Sequence, residues 1–205
     1  MNFRMKMTKI ISFIVISAGI AVILGWVFDI QLLKSFSPHW ATMKFTTAMA
    51  FVFSGLTLFL LALAGEGKQE IAQVGLAFST LAIILVMGTI FFSYVFEVRT
   101  GVEDLFVKEA SGAVKSVIPG RPSLVTVINF LLIAGAGLLT MFNPPRLKMG
   151  LKGIGLVVGL SGLSALAGYL GNLPLLYFYI AGLSTAMAIH TGILFAVIGA
   201  GFLCL

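Results

Sequence analysis

The sequence predicts an all-α membrane protein, with six transmembrane helices arranged as three repeated helical hairpins in a single domain over residues 1–205. Three observations lead there. Hydrophobic residues make up 60% of the chain and charged residues only 10%, where a soluble domain carries about a quarter charged residues. The apolar residues gather in runs of roughly 20, the length needed to cross ~30 Å of hydrocarbon. The runs are continuous rather than alternating. That favours helices, which satisfy their own backbone in lipid, over the strands of a barrel.

The spans are expected at 10–28, 45–64, 71–96, 124–142, 153–171 and 183–205, and none contains Asp, Glu, Lys or Arg. The first follows Arg4, Lys6 and Lys9 as a signal peptide would. Its apolar run is longer than the roughly 7–15 residues of such a leader, so it reads as a retained anchor. A short turn over 65–70 joins the second and third spans. The third and fourth are separated by the longest loop, 97–123, with Gly101, Gly112, Pro119, Gly120 and Pro122. Asn143-Pro144-Pro145 ends the fourth, because proline cannot continue a helix and restricts the residue before it. The sixth is allowed an earlier start, since 175–180 is also apolar.

The net charge of +6 fits basic loops beside a membrane rather than nucleic acid. With the N-terminus inside, seven basic residues face the cytoplasm and six face out. The clusters decide the orientation. Arg4/Lys6/Lys9 and Arg146/Lys148/Lys152 are free of acids, whereas the others mix with Asp29, Glu97, Glu103, Asp104 and Glu109. Both termini are therefore expected in the cytoplasm of a multi-pass cell-membrane protein. Cys204 stands alone, so no internal disulfide forms.

The hairpin repeat rests on a shared frame, Thr-x3-Phe-x3-small. It occurs as Thr47/Phe51/Gly55, Thr126/Phe130/Ala134 and Thr191/Phe195/Gly199. Residues four apart share a helix face, and the small residue permits close approach of a neighbour. Trp26, Tyr94 and Tyr169 stand in the spans before, 21, 32 and 22 residues ahead of those threonines. Ala21/Gly25, Gly155/Gly159 and Gly192/Ala196/Ala200 are further small-residue pairs that suit helix packing.

No phosphate-binding loop, metal-ligand cluster or nucleophile motif is present, so no enzyme and no metal site are expected. His190 is the most informative polar residue, since ionisable groups within a span are functional candidates. It is a candidate for ligand contact, for haem or metal ligation, or for proton sensing. Alternatively it is a neutral histidine bonded to a neighbouring threonine or carbonyl. His39 falls in an outer loop beside Pro38 and Trp40, which makes a two-histidine haem site unconvincing. Asn129 is expected to join helices by hydrogen bonding. Thr47, Thr126 and Thr191 are expected to bond their own preceding carbonyls. Trp26, Tyr94 and Tyr169 fit an aromatic belt at headgroup level. These eight residues fall near one depth and form the candidate ligand-binding set, with the cofactor unknown. Asp29, Glu103 and Asp104 read as solvated loop charges.

The stretches Gly25–Ile30, Met43–Ala48, Gly101–Phe106, Pro119–Ser123 and Ala186–Thr191 resemble the N-terminal membrane region of bacterial and archaeal sensor histidine kinases and diguanylate cyclases. The resemblance covers most of the chain from about residue 20. It implies a multi-helix sensory region that precedes cytoplasmic PAS, kinase or cyclase domains. No such domain follows Leu205 here, so the reading expects either an excised sensory part or a stand-alone version.

The function expected is a non-catalytic sensory or ligand-binding module in the lipid bilayer. It would sense a small apolar ligand or the membrane state and couple to a cytoplasmic signalling partner. The alternative is an accessory or scaffolding subunit among other membrane proteins, holding a pigment, haem or lipid. A transporter ranks last, because no span carries a carboxylate or lysine.

Overall fold

The computed structural model describes residues 3–110 and 112–205. Among these the chain is all helix and irregular backbone, with no strand. The helices are α1 (Phe3–Val27), α2 (Gln31–Lys34), α3 (Phe45–Gly65), α4 (Gln69–Val95), α5 (Leu124–Phe142), α6 (Leu147–Leu170) and α7 (Ile189–Leu203). Five of them, α1, α3, α4, α5 and α6, are long and apolar enough to cross a membrane.

The local signals explain most boundaries. α1 and α6 begin earlier than expected, at Phe3 and Leu147. Their basic first turns simply continue as helix, since lysine and arginine are good helix formers. Gly67 at φ +87° makes the sharp turn between α3 and α4, a conformation open to glycine without steric cost. Ser123 caps α5 by accepting from the Thr126 N–H at 3.2 Å. Asn143 ends it in the left-handed region, φ +45°, just before the two prolines.

The last helix departs from expectation. The span predicted over 183–205 is helical only from Ile189, and α7 has 15 residues. Long-range backbone bonds hold the segment before it extended. Ala186 N–H donates to the Lys115 carbonyl at 2.9 Å, and Met187 N–H to the Tyr177 carbonyl at 3.0 Å. The apolar stretch further upstream makes only the 3-10 turn Pro174–Tyr177. At 1.5 Å per residue α7 is about 22 Å long.

α3, α5 and α7 form the interior. Phe51, Phe130 and Phe195 are 0% exposed and close a triangle of ring centroids at 4.8, 5.0 and 5.0 Å. Aromatic contacts of this kind add about 0.5–1.5 kcal/mol each beyond area burial. α1 packs mainly on α3, α6 mainly on α7, and α4 on both α3 and α5. The faces of these peripheral helices turned away from the bundle are apolar and exposed: Phe13 and Ile14 on α1, Phe78, Leu81 and Leu85 on α4, Leu156, Leu160 and Leu163 on α6. A water-soluble surface would not carry such patches; a lipid-facing one does.

Glycines set the closest helix contacts. A Cβ on Gly199 would lie 2.5 Å from the Gly159 Cα and 2.6 Å from the Gly155 carbonyl oxygen. One on Gly55 would lie 2.9 Å from the Ser12 carbonyl oxygen of α1. In the third expected packing run Gly192 and Ala196 face Gly162 of α6, where a Cβ would lie 2.5 Å from the Gly192 carbonyl oxygen and 2.6 Å from the Ala196 nitrogen, whereas Ala200 faces outward.

Both described ends of the chain lie at one end of the bundle, where Thr8 of α1 donates to the Gly201 carbonyl of α7. The opposite end, where α3, α5 and α7 begin, carries the loops and is called the loop end below.

Candidate functional site

The loop end is built from three similar arrangements. Each of α3, α5 and α7 is preceded by extended backbone whose last residue has nearly the same geometry. Lys44 has φ −69°, ψ 151°, Ser123 has −64°, 150° and Ala188 has −66°, 150°. One residue earlier, a carbonyl accepts a hydrogen bond from the aromatic near the end of α1, α4 or α6, respectively. Trp26 Nε1 donates to Met43 at 2.9 Å, Tyr94 Oη to Pro122 at 2.6 Å and Tyr169 Oη to Met187 at 2.9 Å. A cation lies over each aromatic ring: Lys34 at 5.0 Å, Arg121 at 4.7 Å and Lys115 at 5.8 Å. The three aromatics are half-buried, and their polar ends hold backbone in place.

This explains a difference at the threonines. Thr47, Thr126 and Thr191 do not bond the carbonyls four residues before them. Those carbonyls, of Met43, Pro122 and Met187, serve the aromatics instead. Thr126 pairs with the Ser123 hydroxyl at 2.7 Å. The Thr47 and Thr191 hydroxyls have no partner among the described residues. Threonines deeper in the helices do bond back, as Thr57 does to Phe53 at 2.9 Å. The three loop-end threonines meet around one small cleft.

His190 faces elsewhere. Its ring lies 5.3 Å from that of Phe36, in a cavity of about 230 Å³ between α1, the α2 region and α7. Ala18, Ala21, Val22, Leu32, Leu33, Ile193 and Leu194 complete the lining, so His190 is its one polar side chain. The residue is 7% exposed, and neither ring nitrogen has a hydrogen-bond partner among the described residues. It bonds no neighbouring threonine. The Lys34 carbonyl lies beside the ring; it accepts the Met43 N–H at 2.9 Å and keeps a second lone pair that the imidazole approaches without a well-formed hydrogen bond. Leaving a buried polar group unpaired costs about 1–3 kcal/mol. His39 is exposed and lines no part of this cavity.

Asn129 lies away from both places. Its Nδ2 donates to Ser161 Oγ at 2.5 Å, joining α5 to α6. The eight candidate residues therefore fall into four settings: the threonine cleft, the His190 cavity, the Asn129–Ser161 link and the aromatic brackets.

The loop charges correct another expectation. The Glu103 side chain is 0% exposed rather than solvated. It accepts from Ser93 Oγ at 2.8 Å and Thr100 Oγ1 at 3.2 Å, with Arg121 Nε at 3.6 Å. Burial opposes its charge. The backbone, Ser93, Thr100 and Arg121 together outweigh that and hold its pKa below the usual glutamate value. Lys44 and Glu109 form a second buried pair at 2.6 Å, with side chains 3% and 6% exposed. Glu109 also accepts from Thr42 Oγ1 and the Gly120 N–H, each at 2.7 Å. Burial lowers the Lys44 pKa against the pull of Glu109. Asp29 is exposed, as expected, and pairs with Lys34. Asp104 is partly exposed and pairs with Arg99 at 2.7 Å.

Sequence reasoning missed Lys34, Lys44, Glu109, Arg121 and Phe36. Their one visible signal was position: Lys34, Phe36 and Lys44 in the link before the second span, Glu109 and Arg121 within the long loop. Among the described residues, no three His, Cys, Asp or Glu side chains gather as a metal site. No family model, curated protein or solved structure matches the chain.

Proposed function

We propose that this chain is a non-catalytic sensory module of the cell membrane that takes an apolar or amphipathic molecule from the bilayer into the His190 cavity. In this reading six helices cross the membrane as three related hairpins, α1/α3, α4/α5 and α6/α7, with both termini in the cytoplasm. The matched backbone angles, the three aromatic–carbonyl bonds and the phenylalanine triangle support the repeat. The acid-free basic clusters near the chain ends support the orientation.

The observation that carries the function is His190: two unpartnered ring nitrogens in an otherwise apolar cavity. Ligand sites are mostly apolar, with a few polar groups that fix orientation. An amphiphile with one carbonyl or hydroxyl head would satisfy the imidazole and bury its tail against Ala18, Val22 and Ile193. The cavity is walled by α1 and α7, so an occupant that prefers one spacing of these helices would bias it. Both helices reach the end of the bundle that carries the termini, where a cytoplasmic partner would read the change.

Photocrosslinking in lipid vesicles with a diazirine-bearing long-chain alcohol tests this. Labelling should concentrate on the segments 18–22 and 190–194, and His190→Phe should reduce it several-fold. Even labelling over all lipid-facing helices, unchanged in the variant, would sink the proposal.

A further inference from the structure

A cavity of about 400 Å³ lies at the loop end beside Tyr94 and Arg121, and it shares no lining residue with the His190 cavity. Its volume is within the range of ~300–1,000 Å³ that small ligands fill. Arg121 brings a buried cation to its wall. That side chain is 9% exposed, and its guanidinium lies over the Tyr94 ring at 4.7 Å. A guanidinium has five N–H donors to place. Nη2 donates to Ser93 and to the Val98 carbonyl. Nε faces Glu103 at 3.6 Å, too far for a hydrogen bond, and is sealed in without a partner. Nη1 bonds nothing among the described residues, yet it is not sealed in. Its two N–H donors are thus left open to the cavity that Arg121 lines.

The same cavity holds the opposite charge. Glu97 lines it and directly follows Phe96, the C-cap of α4. Glu97 is exposed and belongs to none of the ion pairs among the described residues. A helix C-terminus carries about −0.5 of an elementary charge, so a carboxylate placed there gains from a nearby cation. The rest of the wall is largely apolar, with Val117 and Leu183 exposed on it and Ile118 half-buried. A simple carboxylate would satisfy Nη1 and leave Glu97 uncompensated. A simple amine would do the reverse. A molecule that carries both groups answers both ends through charge-assisted hydrogen bonds, the stronger kind.

We infer that this cavity binds a free α-amino acid with an apolar side chain. The carboxylate accepts from Arg121 Nη1, the ammonium donates to Glu97, and the side chain covers Val117, Ile118 and Leu183. The site needs no ligand in the His190 cavity and stands apart from the reading above.

The test is thermal unfolding of the purified full chain in phosphatidylcholine nanodiscs, titrated with L-valine, L-leucine, L-isoleucine and L-methionine. A saturating rise in Tm is expected with at least one of the four, because a ligand of the folded state stabilises it by mass action. For that amino acid, the analogues lacking the amine or the carboxylate (4-methylpentanoate and isopentylamine in the case of leucine) should each give little of the rise. Glu97→Gln, at an exposed position, should weaken the apparent affinity several-fold. Glu70→Gln, exposed in the first turn of α4 at the other end of that helix, should leave it unchanged. No rise with any of the four amino acids would overturn the inference. So would an amine-free analogue as effective as the amino acid together with an unchanged response in Glu97→Gln, the pattern of a plain carboxylate site. Phosphatidylethanolamine nanodiscs address a lipid headgroup as the source of the paired charges. A response retained there supports a free amino acid; a response abolished there, from a raised starting Tm, overturns it and assigns the cavity to the headgroup.

Discussion

Replacing His190 with leucine separates a binding residue from a structural one by the sign of its effect. The imidazole is 7% exposed and both nitrogens are unpartnered, so the empty protein carries an uncompensated polar group worth about 1–3 kcal/mol. Leucine is of similar bulk and suits the lining of Ala18, Val22, Leu33 and Ile193. His190→Leu should therefore stabilise the ligand-free protein by about 1–2 kcal/mol. The same change removes the one side chain in the cavity able to hydrogen-bond an amphiphile. A hydrogen bond nets about 0.5–1.5 kcal/mol, so affinity for a long-chain alcohol should fall roughly 2- to 12-fold, at tenfold per 1.4 kcal/mol. The assay pairs reversible unfolding in mixed micelles with equilibrium binding of the alcohol, using protein stripped of native lipid. Opposite signs, a tighter fold and weaker binding, are the expected signature. A variant less stable than wild type in the stripped state would refute the argument, since it would mean that His190 holds the fold together.

Two further outcomes follow from packing and charge. Gly199→Ala should destabilise by about 1–3 kcal/mol, because its Cβ would meet the Gly159 Cα at 2.5 Å and backbone cannot move aside cheaply; Gly153→Ala, with nothing within 4 Å, should be near neutral, and equal effects in the same unfolding assay would count against the close α6–α7 contact. The lowered pKa of Glu103 stabilises the fold above the ordinary glutamate pKa of about 4.3 and loses that contribution as pH falls through the folded value. Glu103→Gln should therefore flatten the fall in Tm below about pH 5, beyond whatever Asp29 and Glu66 still contribute; an unchanged slope would show that Glu103 carries no such linkage.

Legibility differed from residue to residue for physical reasons. The edges of α3 and α5 were readable to within a residue, because charges, a capping serine and paired prolines act locally. The start of α7 was not. Residues 183–188 are apolar or small, but Leu183 and Ser184 close a turn on Ile180, and Ala186 and Met187 give their N–H groups to Lys115, in the long loop, and to Tyr177. The Thr-x3-Phe frame was visible as a stripe, and its threonines and phenylalanines do meet across three helices. The fate of each polar group was not visible. Glu103 and Glu109 look like ordinary loop acids, yet each is buried against a cation brought in by chain folding.

The sequence by itself determined that the chain is helical and suited to lipid. Both follow from composition and run length, which are properties of the chain before it folds. Only the tertiary structure decided how the polar residues divide. It turned three aromatic donors onto three carbonyls, left three threonines facing one cleft, and aimed His190 into a separate apolar cavity. Neighbours in sequence, Thr191 and His190, face different sites because adjacent residues on a helix point about 100° apart. What lies opposite each of them depends on helices that the linear order cannot place.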